Sequence, residues 1–170
     1  MGERSHSAAR AAHFRVEAGV RTWLGALVMV AGLAAPAFAG PEEDAMQVVE
    51  KWAAAFNASD VDAILALYAP DAVFLGTGSR TVVLNPAEIR QYFERALLTD
   101  RPRGARLLSH STRVLGDNSV VITGLDETTA VRDGKPISSP GRVTFVVATR
   151  GGAEWKIVHF HRSGVPGRPN

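Results

Sequence analysis

No cysteine occurs among the 170 residues. Disulfide cross-links and thiol nucleophiles are therefore excluded, and an exported fold would have to be held by its core alone. No Gly-x-Ser-x-Gly elbow is present either, so nucleophilic catalysis has no support. A dinucleotide fingerprint is missing as well, so no nicotinamide or flavin cofactor is implied, and none of another kind. The apolar run from Trp23 to Ala35 falls short of the roughly 20 residues that a membrane-spanning helix needs. There is no twin-arginine pair, internal repeat or low-complexity segment.

What is present begins with a leader pattern. Arg4, Arg10, Arg15 and Arg21 precede the apolar run, and Ala37-Phe38-Ala39 places small residues before a cut. This order reads as a secretory signal peptide over residues 1–39, with an uncleaved anchor as the alternative. The expected location is periplasmic or secreted, with no membrane partner once the leader is removed. Residues 40–170 form the remaining domain, 170 − 39 = 131 residues, enough for one core. The leader carries four of the 19 Lys and Arg and two of the 17 Asp and Glu, which leaves 15 against 15. A neutral domain argues against nucleic acid as a partner.

Apolar residues recur at helical spacing through Met46, Val49, Trp52, Ala53 and Phe56, predicting a helix from Glu42 to Ala58. Asp60 caps a short second helix, Val61 to Tyr68. Ala72 to Leu75 and Arg80 to Leu84 read as strands around a Gly76-Thr77-Gly78-Ser79 turn. Asn85 followed by Pro86 starts a third helix that runs to about Leu98, with Ile89, Tyr92 and Phe93 on its apolar face. From Ala105 the period becomes two, and Leu107–Leu115, Ser119–Val131, Arg142–Thr149 and Ala153–Arg162 read as strands. The expected class is α+β, with three helices in the N-terminal half packed on one face of a curved antiparallel sheet.

Three patterns carry a resemblance. Trp52-x-x-x-Phe56-Asn57-x-x-Asp60 leads to Leu67-Tyr68-Ala69-Pro70-Asp71-Ala72-Val73-Phe74, and Tyr92-Phe93-Glu94 lies on the third helix. Arg142-Val143 precedes Trp155-Lys156-Ile157-Val158-His159-Phe160-His161-Arg162-Ser163-Gly164-Val165-Pro166. Together they resemble the nuclear transport factor 2-like superfamily of cone-shaped domains, in its SgcJ/EcaC and SnoaL-like branch. The last pattern is similar to the end of the calcium/calmodulin-dependent protein kinase II association domain. The resemblance implies a pocket between sheet and helices, and a homodimer or larger homo-oligomer formed through the sheet. It also implies a small, acidic ligand held by Arg142 and Arg162, with His161 and Tyr92 as further ligand-binding candidates. Asp126 and Ile89 stand where the association domain has a third pocket arginine and a histidine. Kinase activity is not implied, because no catalytic loop or DFG is present.

A guanidinium holds a carboxylate through two parallel hydrogen bonds, so paired arginines suit an acid. Each could instead form a structural salt bridge with Asp126, Glu127 or Glu154, and Asp126 is the expected partner of Arg142. His159 and His161 share a face with Trp155 and Ile157, and Arg162 with Phe160 and Val158, unless a bulge intervenes. A metal held by His159, His161 and His110 is the less favoured reading, since no second shell is visible. The alternative function is a cavity enzyme, an isomerase, cyclase or oxidoreductase, with Asp126, His159 and Tyr68 as the acid-base candidates and Glu127 beside them.

Overall fold

Proline at its first position and three acidic residues in its first turn start α1, Pro41–Ala58, and the Glu43 carboxylate accepts from the Gly40 N–H at 2.7 Å. This is the first element of a computed structural model in which residues 40–151 and 154–167 are described. All of them belong to one of two compact units of the chain, Ala37–Asn170. The signal-peptide reading of residues 1–39 lies outside the described residues. Among those that are described, no helix is long and apolar enough to cross a membrane.

Asp60 caps α2, Val61–Leu65, by accepting from the Ala63 N–H, and Asn85 caps α3, Pro86–Leu97, by accepting from the Ala87 N–H. The strands are β1 Tyr68–Leu75, β2 Gly104–Gly116, β3 Ser119–Arg132, β4 Lys135–Ala148 and β5 Lys156–Gly164. They form one sheet in the order β1-β5-β4-β3-β2. β1 runs parallel to β5 and the other pairs are antiparallel.

Helices and sheet bury one face of each against the other. α1 contributes Val48, Val49, Trp52 and Phe56, α3 contributes Ile89, Phe93 and Leu97, and the sheet contributes Phe74, Ile122, Phe145, Ile157 and Phe160. Phe160 sits at the centre of an aromatic cluster. Its ring stacks on Phe74 at 5.2 Å and on Trp52 at 5.4 Å, and meets the edge of Phe145 at 5.1 Å.

Three elements differ from the sequence reading. α2 stops at Leu65, and Tyr68 opens β1 instead of closing the helix. Pro70 disfavours helix just before it, and the Leu67 carbonyl is taken by the Ile157 N–H at 2.8 Å. Arg80–Leu84 is no strand, since only Val83 bridges to Phe74. β4 begins at Lys135, seven residues before Arg142, despite Pro136 and Pro140. Both prolines pair with β3, at Val131 and Glu127, while β5 reaches only as far as Gly141. That stretch of β4 is therefore an edge, where a missing N–H is tolerated.

The face assignment of β5 also changes. The register slips between Val146 and Val147, so that Val147 faces Ile157 but Val146 faces His159, with Val158 as the extra residue. Ile157, Phe160 and Arg162 consequently all point to the core side.

Candidate functional site

Between α1, α3 and the extended ends of β3 and β4 lies a cleft of about 260 Å³. Its floor is Trp52, Phe56, Phe93 and Phe160, and its walls carry Tyr92, Thr77, Ser138, Ser139 and three arginines, Arg103, Arg132 and Arg162. Such a volume is slightly below the roughly 300–1,000 Å³ of pockets for drug-sized ligands, which suits a small molecule.

Arg162 is 7% exposed and fixed on three sides. Its Nε donates to Asp126 Oδ2 at 2.7 Å, one terminal nitrogen to Thr77 Oγ1 at 2.9 Å and the other to the Ser139 carbonyl at 2.8 Å. A buried guanidinium needs such partners, because desolvation alone would expel it. Gly141 makes room for the pair: a Cβ there would stand 2.4 Å from Asp126 Oδ1 and 2.5 Å from an Arg162 nitrogen.

The turn after β1 brings Tyr92 into the same cleft. Burial raises the pKa of its hydroxyl, against the opposing pull of the Gly78 and Thr77 backbone and of Arg162 and Arg103. Gly76 lets the ring lie against the turn, since a Cβ would come within 2.4 Å of the phenol oxygen.

Arg132 and Asp100 form a neutral couple on the rim. Nε and a terminal nitrogen of Arg132 reach Asp100 Oδ2 at 2.9 and 2.6 Å, and this contact holds the Asp100 carboxyl below its ordinary pKa. Arg103 is placed by its neighbours. The Val131 N–H donates to the Asp100 carbonyl, and the Ala105 N–H donates to Asn57 Oδ1 at 2.6 Å, which ties the segment to β3 and to α1.

The remaining candidates are spread across the molecule. Asp126 is buried behind Arg162, not opposite Arg142. Arg142 is exposed on the opposite face of the sheet, because Arg162 is paired with Val143 and neighbours alternate in direction. The two arginines therefore do not converge on one ligand. His161 and His159 are half-buried on that same outer face, displaced there by the Val158 bulge. Burial foremost, then His161, lowers the pKa of His159. Tyr68 is enclosed in the core, where its oxygen accepts from Trp52 Nε1 at 3.1 Å and burial raises its pKa well above the ordinary value. Glu127 is engaged by Ser138 and Arg106. His110 lies on β2, three strand spacings or roughly 14 Å from β5, too far to share a metal with His159 and His161. Among the described residues no group of three or more His, Asp or Glu could hold a metal ion.

Arg103, Arg132 and Thr77 were not among the candidate site residues, and Thr77 was read only as part of a turn. Arg101-Pro102-Arg103-Gly104 falls between the predicted third helix and the next strand, and the density of arginine is its one local signal.

Three helices over a curled five-stranded sheet, with a cleft between the layers, define the nuclear transport factor 2-like class. The SnoaL-like domain matches residues 45–167, and the chain belongs to that family. A Xanthomonas campestris protein described as a calcium/calmodulin-dependent protein kinase II association domain is 30% identical, with a TM-score of 0.68 over 78% of this chain and 94% of the other. A nuclear transport factor 2-like superfamily protein of Salmonella enterica serovar Typhimurium is 21% identical, with a TM-score of 0.66 over 75% and 93%. A ketosteroid isomerase-like protein of Erwinia carotovora atroseptica, 15% identical with a TM-score of 0.60 over 74% and 97%, shares the fold. No curated protein matches the chain.

Proposed function

We propose that this is an exported domain that binds a small acidic molecule in the cleft and associates with further copies through the outer face of its sheet. The observation that carries the reading is Arg162. A guanidinium has five N–H bonds, and the three contacts that fix this one leave two on a side chain that lines the cleft. A carboxylate is the group that such a preset donor pair fits. The 30% identical relative described as an association domain supports the self-associating part. So does the exposed apolar side chain of Leu125 on β3, which shares the outer face with its partner Arg142.

Catalysis draws less support from the geometry. A proton-transfer group must reach the substrate, yet Asp126, His159 and Tyr68 do not line the cleft.

Titration of the purified chain with short monocarboxylates, followed by thermal denaturation, tests the binding. Millimolar acid should raise the Tm. Arg162→Lys, which keeps charge but not the planar fork, should weaken the effect by about tenfold. If no acid shifts the wild-type chain, the binding reading is lost. Sedimentation velocity tests association separately: a dimer or larger species is expected, and a monomer at high concentration would remove that part.

A further inference from the structure

Of all side-chain nitrogens and oxygens in the described residues, two are sealed from solvent without a hydrogen-bond partner: Asp126 Oδ1 and Arg103 Nε. The first belongs to an ion pair already made. The second belongs to a guanidinium that lines the cleft and enters none of the ion pairs of the described residues. Buried donors without an acceptor are rare, since each costs the fold its desolvation. Burial is also the main cause that lowers the pKa of Arg103, and Arg132 adds to it against Asp100 and Tyr92. A cation under that pressure gains most from an incoming anion.

Charge around the cleft supports the same conclusion. Arg103, Arg132 and Arg162 are three cations, and Asp100 and Asp126 neutralise two of them, which leaves a formal charge of +1 on Arg103. One ligand charge balances it. A second would find no cation left unbalanced. The floor beneath is aromatic, formed by Trp52, Phe56, Phe93 and Phe160, and it offers apolar surface and ring edges but no polar group apart from the indole nitrogen, which Tyr68 occupies.

Resting on the acid-binding reading above, we infer that Arg103 selects the ligand, and that the ligand is a small aryl monocarboxylate whose ring lies on the aromatic floor. Arg162 holds the carboxylate from the sheet side and Arg103 from the loop side. The class excludes dianions by charge, aliphatic acids by lost ring contact and neutral amides by the lost charge-assisted hydrogen bond.

Calorimetric titration with benzoate, benzamide, phthalate and acetate, on the wild-type chain and on Arg103→Met, tests it. Benzoate should bind about tenfold or more tightly than each of the other three. Arg103→Met should weaken benzoate about 10- to 100-fold, the span of one charge-assisted hydrogen bond. Its Tm without ligand should hold or rise by a few degrees, since an unsatisfied buried donor disappears. Should that variant not fold, Arg103→Lys serves in its place, with a loss of about tenfold expected because the planar fork is gone. If benzoate binds Arg103→Met as tightly as wild type while Arg162→Lys binds it weakly, the selector role is wrong and the acid-binding reading stands. If acetate, benzamide or phthalate matches benzoate, the ligand class is wrong. If no acid binds the wild-type chain, both readings fall together.

Discussion

Asp126→Ala is expected to destabilise the domain by about 3–5 kcal/mol, the cost of leaving one partner of a buried ion pair unpaired. The side chains of Arg162 and Asp126 are 7% and 5% exposed, so water cannot take over the lost contact. Thr77 and the Ser139 carbonyl remain as acceptors, but both are neutral. The double replacement Asp126→Leu with Arg162→Met should cost far less, because it removes both charges and keeps the volume. Urea denaturation of Asp126→Leu, of Arg162→Met and of the double gives the coupling energy directly. Additive costs would show that the two side chains merely lie close. A large coupling would establish that the cleft's cation is held in place by a carboxylate that does not itself line the cleft.

Phe160→Ala should cost about 3–5 kcal/mol through the cavity it leaves. Phe160 is 2% exposed and joins rings from every layer, namely Trp52 of α1, Phe74 of β1 and Phe145 of β4. Phe160→Leu, which keeps most of the volume, should lose about 1.5 kcal/mol or less. Because the same ring lines the cleft, the alanine variant should also accept bulkier acids than the wild-type chain does. A shift of the urea midpoint no larger than that of a surface variant would mean that the neighbouring rings close the gap, and that the cluster is not organised around this residue.

Much of this architecture is legible before any coordinates, for definite reasons. Asn85-Pro86 marks the start of α3, Asp60 marks α2, and the spacing of Val49, Trp52 and Phe56 marks the buried stripe of α1. The period-two region from Ala105 onward foretells the long strands. What escaped was decided by tertiary pairing. Tyr68 belongs to a strand because β5 supplies backbone partners some ninety positions later in the chain, from Tyr68 to Ile157. The first half of β4 lies outside the predicted strand, and it carries two prolines whose missing N–H groups are harmless only on an open edge. The bulge at Val158 has no local marker, and it alone decides which of His161 and Arg162 faces inward. The resemblance therefore pointed to Arg162 and Tyr92, which line the cleft, whereas no family match pointed to Arg103, which lines it too.

Parallel pairing of β1 with β5 has a consequence for biosynthesis. Apart from the bridge to Val83, β1 has no strand partner until β5 is made, whereas β2, β3 and β4 pair with one another in succession. Closure depends on contacts between distant positions, a topology associated with slow folding and prolonged exposure of strand edges. A polypeptide released before Trp155 would lack Phe160 and Arg162 together, and with them the ring that joins the layers and the cation of the cleft. The cleft is thus completed only with the last strand: a truncated product has neither a closed sheet nor the cation and ring on which the proposed binding rests.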